Sequence, residues 1–148
     1  MSKKRIFYIV IGLLLLIQFF QIDKTNPPVQ ADKDFLQTEQ PPAEIAVLLS
    51  GACYDCHSHQ TQYPWYTNIQ PVGWFVRSHY RGGRMNVNFS EWTDYSDSEK
   101  THKLEECIEV IGDKRMPMKS YAFMHAPAKL SDNDRATLIS WLRTQVKE

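Results

Sequence analysis

Cys53-Tyr54-Asp55-Cys56-His57 is the stretch on which the reading of this 148-residue chain turns. Two thiols three positions apart, with an imidazole directly behind them, follow the C-x-x-C-H spacing of c-type haem attachment. The spacing has a geometric reason: the thiols reach the two vinyl groups on one side of the macrocycle, and the next residue offers its imidazole to the iron. Three other uses of the cluster compete. A thioredoxin-like dithiol wants a βαβ context, which is absent. Structural zinc needs four ligands, of which Cys53 and Cys56 supply two; His57, His59, His79 and Cys107 are the candidates to complete the set. A plain disulfide between Cys53 and Cys56 leaves His57 without a role. The motif therefore predicts one covalent haem c on Cys53 and Cys56, with His57 on the iron.

The elements around the motif read as helices. Before it, Ile45, Leu48 and Leu49 share a face over Ala43 to Ser50, and Gly51 stops the helix. After it, a helix starts at Pro71, a residue suited to the first turn, and ends near Arg81 at Gly82-Gly83. Ser96-Asp97-Ser98-Glu99 is a capping box; Leu104, Cys107, Ile108 and Ile111 follow at helical spacing, and Gly112 closes that helix. The last helix starts at Ser131-Asp132-Asn133-Asp134 and carries Leu138, Ile139, Leu142 and Val146. No alternating run long enough for a strand appears, so the fold class is all-α.

Met116 lies 59 residues beyond His57, in the turn Lys114-Arg115-Met116-Pro117, and is the first candidate for the sixth iron ligand. Met/His ligation raises the potential and closes the iron to outside ligands. Met118, His125 and His79 are the competing ligands, and an open site is the remaining alternative. Met124 is read as adaptable packing. Tyr63, Pro64, Trp65, Tyr66, Trp74 and Phe75 form an aromatic segment suited to excluding water from a flat apolar cofactor. Arg77, Arg84 and Asn88 are candidates to pair with propionates, and the Pro71 carbonyl is a candidate to orient His57. Cys107, at an apolar helical position, reads as a buried free thiol.

Lys3, Lys4 and Arg5 precede an apolar run from Ile6 to Ile22 broken only by Gln18 and Gln21. Seventeen residues span about 25 Å as a helix, close to the roughly 30 Å hydrocarbon core of a bilayer. Residues 1–22 are therefore expected to form a transmembrane anchor, with a signal segment removed at Val29-Gln30-Ala31 as the alternative. The basic flank places the body outside the cytoplasm, in the periplasm at the inner membrane. Residues 23–42, with Pro27, Pro28, Pro41 and Pro42, read as a linker, and residues 43–148 as the haem-binding domain. The first 22 residues hold three of the 17 basic side chains and no acidic one, so the remaining 126 carry 14 basic against 17 acidic. That mildly acidic body argues against nucleic acid as a partner.

The chain resembles class I cytochromes c and, more narrowly, the small membrane-anchored haem-binding domain family of bacterial envelopes. The residues that carry the resemblance are Cys53 through Ser58, Tyr63-Pro64-Trp65-Tyr66, His79 with Gly83-Arg84, Asn88-Phe89-Ser90 with Trp92, Met116-Pro117, Tyr121, and His125 with Ala128 through Ser131. They span about residues 44–142. The resemblance implies a cytochrome c-like helical domain around one covalent haem, with His57 proximal and Met116 distal. The resemblance implies little about a partner; the haem site and the export signal together lead to the expectation of electron transfer to redox partner proteins of the envelope, without enzymatic residues of the chain's own. The rival reading is a peroxidase-like haem enzyme or a gas or redox sensor with an exchangeable sixth site. A zinc-stabilised interaction domain is the third.

Overall fold

Two serine-capped helices supply the scaffold of the carboxyl-terminal half. The structure, a computed structural model, describes residues 2–146. In chain order its helices are α1 (Lys3–Leu16), α2 (Phe35–Glu39), α3 (Ala43–Ala52), α4 (Tyr54–His57), α5 (Val72–Asn86), α6 (Asp97–Gly112), α7 (Lys119–Met124) and α8 (Asp132–Gln145). Short 3-10 turns at Ile17–Phe19, Trp65–Asn68, Phe89–Asp94 and Ala126–Ala128 connect them, and no strand occurs among the described residues. The all-α expectation holds.

The predicted capping box at Ser96 is formed, and the helix start read at Ser131 proves to be a second one. Ser96 Oγ accepts from the Glu99 amide while Glu99 accepts from the Ser96 amide, and Ser131 and Asp134 repeat the arrangement at α8. Each box satisfies two amides that an uncapped helix start leaves without partners. Leu104 and Ile111 of α6 and Leu138 and Leu142 of α8 then enter a common core with Ile45 and Leu49 of α3. The core's aromatic centre is Phe35, whose ring meets Phe89 at 5.1 Å and Trp92 at 4.7 Å.

Phe35 belongs to the stretch read as a linker, and here the structure differs from that reading. Asp34 caps α2, Lys33 accepts from the Trp92 amide at 2.9 Å, and Glu39 accepts from the Trp92 indole at 2.7 Å. A short α2 between prolines gives no sustained apolar period, so the sequence pattern conceals one core ring. The second difference is at Gly82-Gly83, which does not end α5; the helix continues to Asn86.

The expected amino-terminal transmembrane helix is not formed. α1 ends at Leu16, and its 14 residues are about 21 Å long, short of the roughly 30 Å needed to span a bilayer. No helix among the described residues is long and apolar enough to cross a membrane. The expectation of a single-pass inner-membrane protein with its body facing the periplasm is corrected accordingly. The two glutamines that interrupt the apolar run explain the stop. Gln18 donates to the Gln70 carbonyl and accepts from the Gln70 amide, each at 2.9 Å, and Gln21 donates to the Asn68 carbonyl at 3.2 Å. The Trp74 indole donates to the Phe20 carbonyl at 2.9 Å. The chain from residue 18 onward is thus tied to the body through its polar groups, while α1 keeps its apolar side chains exposed.

Candidate functional site

Tyr54 to His57 of the C-x-x-C-H motif form a single turn, α4, held on one side by the core. Tyr54 is buried, stacks on Phe89 at 5.4 Å and 8°, and donates its hydroxyl to the buried Asp34 carboxylate at 3.1 Å. With Tyr54 anchored inward, the three residues that follow it line a cavity of about 570 Å³ with a mostly apolar wall. Ligand clefts span about 300–1,000 Å³, so the space suits a large flat cofactor.

His57 lines this cavity, and its Nδ1 lies 3.2 Å from the Val87 carbonyl oxygen. A carbonyl only accepts, so Nδ1 carries the proton and Nε2 keeps its lone pair, the arrangement that prepares an imidazole for a metal. Burial pushes the His57 pKa below its ordinary value, against the hydrogen bonds to Val87 and Gly83, and so favours the neutral ring. Val87, not Pro71, is the orienting carbonyl; Pro71 caps α5 instead.

α5 passes α4 at Gly83. A Cβ on that residue would lie 2.6 Å from the Cys56 carbonyl oxygen, so only glycine permits the approach. This close crossing is why the helix runs through the glycine pair that resembles a stop signal. Cys56 lines the cavity with His57. Cys53 does not: it precedes α4 and packs on the core, within electrostatic reach of Cys107. Burial pushes the Cys53 thiol up to about 12 and the Cys56 thiol up to about 11. All three cysteines are free thiols.

Met116 lines the same cavity, and its backbone is pinned at both ends. Its amide donates to the Val110 carbonyl at 3.0 Å, and its carbonyl accepts from Arg135 of α8 at 2.6 Å. Met118 and Met124 are also in the wall, as are His79 and His125. His125 has both nitrogens engaged, Nδ1 with the Tyr121 carbonyl at 2.9 Å and Nε2 with the Tyr66 hydroxyl at 3.2 Å. His79 donates Nδ1–H to the Phe75 carbonyl at 2.7 Å.

The candidates for propionate pairing are placed elsewhere. Arg84 donates to the Ser58 carbonyl, to Thr61 and to Asn26, bracing the loop after the motif. Asn88 is buried against His59 and Glu91, and Arg77 is exposed outside the cavity wall. The zinc alternative also lacks its ligands: among the described residues no three His, Cys, Asp or Glu side chains are gathered as a metal site. Sequence reasoning did not find the Val87 carbonyl, Gly83's role or the Tyr66–His125 and Tyr121–Asp55 pairs. Tyr66 and Tyr121 stood in recognisable motifs, but nothing in the spacing showed their partners.

Cys56, the neutral His57 imidazole, Met116 and the apolar cavity fit a haem, while Cys53 is the one member of the motif on the core side, outside the cavity wall. A family model described as haem-binding domain matches residues 12–144. No curated protein and no solved structure matches the chain.

Proposed function

Since the chain belongs to the haem-binding domain family, we propose that it is an electron carrier with one haem held covalently by Cys53 and Cys56 and ligated by His57 and Met116. When bound, that haem supplies a one-electron iron couple. The observation that carries this reading is the meeting of His57 and Met116 in one cavity, with the imidazole's other nitrogen already committed to Val87. His57 contributes a neutral, oriented ligand. Met116 contributes a thioether on a backbone that Val110 and Arg135 keep in place, which limits rearrangement between oxidation states. The apolar wall excludes water and so favours the less charged, reduced site. The partners are redox proteins, and the chain transforms no substrate of its own.

A second reading, a haem enzyme or sensor with an exchangeable sixth site, is favoured by His79, a cavity residue whose Nδ1 alone is hydrogen-bonded to the protein. One set of spectra separates the two. Protein made with haem-attachment machinery should keep its haem through acid–acetone extraction, and Cys53→Ala with Cys56→Ala should abolish that retention. The ferric protein should show the weak near-infrared band of Met/His ligation, and Met116→Ala should remove it, lower the potential and open the ferrous iron to carbon monoxide. A Met116→Ala protein with the native spectrum would rule out this sixth ligand and favour the enzyme or sensor reading.

A further inference from the structure

Residues 118–125 form one wall of the cavity, yet α7 buries none of its residues, and Phe123 and Met124 are exposed. Apolar packing therefore contributes little to keeping this wall in place. Its two ends are fixed by other means. Met116 is held by Val110 and Arg135, and Pro127 lies against Gly51 so closely that a Cβ on that glycine would be 2.9 Å from it.

Between those ends, two tyrosine hydroxyls tie the segment to the opposite elements. Tyr121 of α7 donates to Asp55 Oδ2 at 2.5 Å, reaching the residue between Tyr54 and Cys56 in α4. Burial and the Asp55 carboxylate hold the Tyr121 phenol above its ordinary pKa, which keeps the donor proton in place. Tyr66, in the 3-10 turn Trp65–Asn68, donates to His125 Nε2 at 3.2 Å. That direction follows from His125 Nδ1, whose proton goes to the Tyr121 carbonyl. The Tyr121 and His125 rings stack at 4.0 Å and 18°, so displacing one disturbs the other.

We propose that Tyr121, supported by Tyr66 through His125, is a positioning residue that latches the 116–125 wall to the attachment turn. The bond to Asp55 keeps Met116 at the iron and restricts entry of outside ligands. The inference rests on the haem-site reading above. Removing one hydroxyl from a hydrogen bond with a carboxylate raises the open fraction of the wall by about tenfold or more.

The test is the rate at which imidazole binds the ferric iron of the full-length holoprotein, read together with the near-infrared band and the midpoint potential. Tyr121→Phe should speed imidazole entry about tenfold or more and weaken the band. Tyr66→Phe should act in the same direction, and Asp55→Asn, which retains an acceptor oxygen, should stay near the wild-type rate. Ser96→Ala is the control, since it removes a cap hydrogen bond at the start of α6, outside the cavity wall, and it should leave the rate unchanged. An unaltered rate in Tyr121→Phe with a native band would overturn the latch while leaving Met/His ligation intact. Equal acceleration by Ser96→Ala would mean general loosening and would also overturn it. If the wild-type protein lacks the band, the Met116 reading fails, and the imidazole rates alone then decide the latch.

Discussion

Replacing Gly83 by alanine tests the crossing that builds the site. The new Cβ would stand 2.6 Å from the Cys56 carbonyl oxygen, 3.1 Å from its carbonyl carbon and 3.3 Å from its Cβ. Ordinary contact begins at 3.4 Å, so α5 and α4 must separate by about 0.8 Å along the shortest of these lines. The nearest atoms are backbone and cannot rotate away. Overpacking of this kind costs about 1–3 kcal/mol. Alanine recovers about 0.8–1 kcal/mol in helix propensity, leaving a net loss between zero and about 2 kcal/mol. Gly82 is the internal control, because a Cβ there meets nothing within 4 Å and alanine gains the propensity alone. The two variants should therefore differ by about 1–3 kcal/mol, with Gly82→Ala the more stable. At about 2–4 °C per kcal/mol for a chain of this size, side-by-side thermal melts of the holoproteins resolve that difference. Coincident melting temperatures would refute the close-approach argument.

Phe35→Ala should cost about 3–5 kcal/mol in denaturant titrations, the loss expected for a core aromatic; a surface-like change below 1 kcal/mol would restore the tether reading of residues 23–42. The capping boxes predict a pH signature. Hydrogen bonds from Ser96 hold Glu99 below its ordinary 4.5, and those from Ser131 hold Asp134 below 3.8. A lowered folded pKa gives stability that is full above the unfolded value and is lost as pH falls through the folded one. The stability gap between wild type and Ser96→Ala or Ser131→Ala should therefore shrink below about pH 4, and a gap that stays constant to pH 2 would contradict the assignment. In the haem-free chain, Cys53 and Cys56, with thiols raised to about 12 and 11, should alkylate far more slowly in native buffer than in urea. Labelling of Cys53 at its unfolded-state rate would show that the core does not cover it.

What the sequence made legible was local. Ser96 with Glu99 and Ser131 with Asp134 act within one helical turn, so the caps could be read directly and the two long helices located from them. The thiol–thiol–imidazole spacing is likewise local, and both Cys56 and His57 line the cavity. What escaped depends on distant partners. The carbonyl that orients His57 comes from a residue 30 positions later. Gly83 looks like a terminator in isolation, and only the Cys56 backbone beside it gives the glycine its purpose. Phe35 sits in a five-residue helix flanked by prolines, too short for periodicity to reveal its buried face. Gln18 was visible only as an interruption, because its partner Gln70 lies 52 residues away.

Arg135 gives the site a dependence on the far end of the fold. A single guanidinium nitrogen of α8 donates to the Ile111 carbonyl at 2.9 Å and to the Met116 carbonyl at 2.6 Å. During synthesis the two cysteines and His57 emerge well before this clamp, and Met116 emerges 19 residues ahead of it. The groups that set the turn at Cys56 and His57, Gly83 and the Val87 carbonyl, thus lie in the earlier part of the chain, whereas the methionine's backbone is fixed only once the last helix has docked. A nick or slip in the last helix is therefore felt at Met116, in the wall of the cavity, while the turn that presents His57 keeps its own partners.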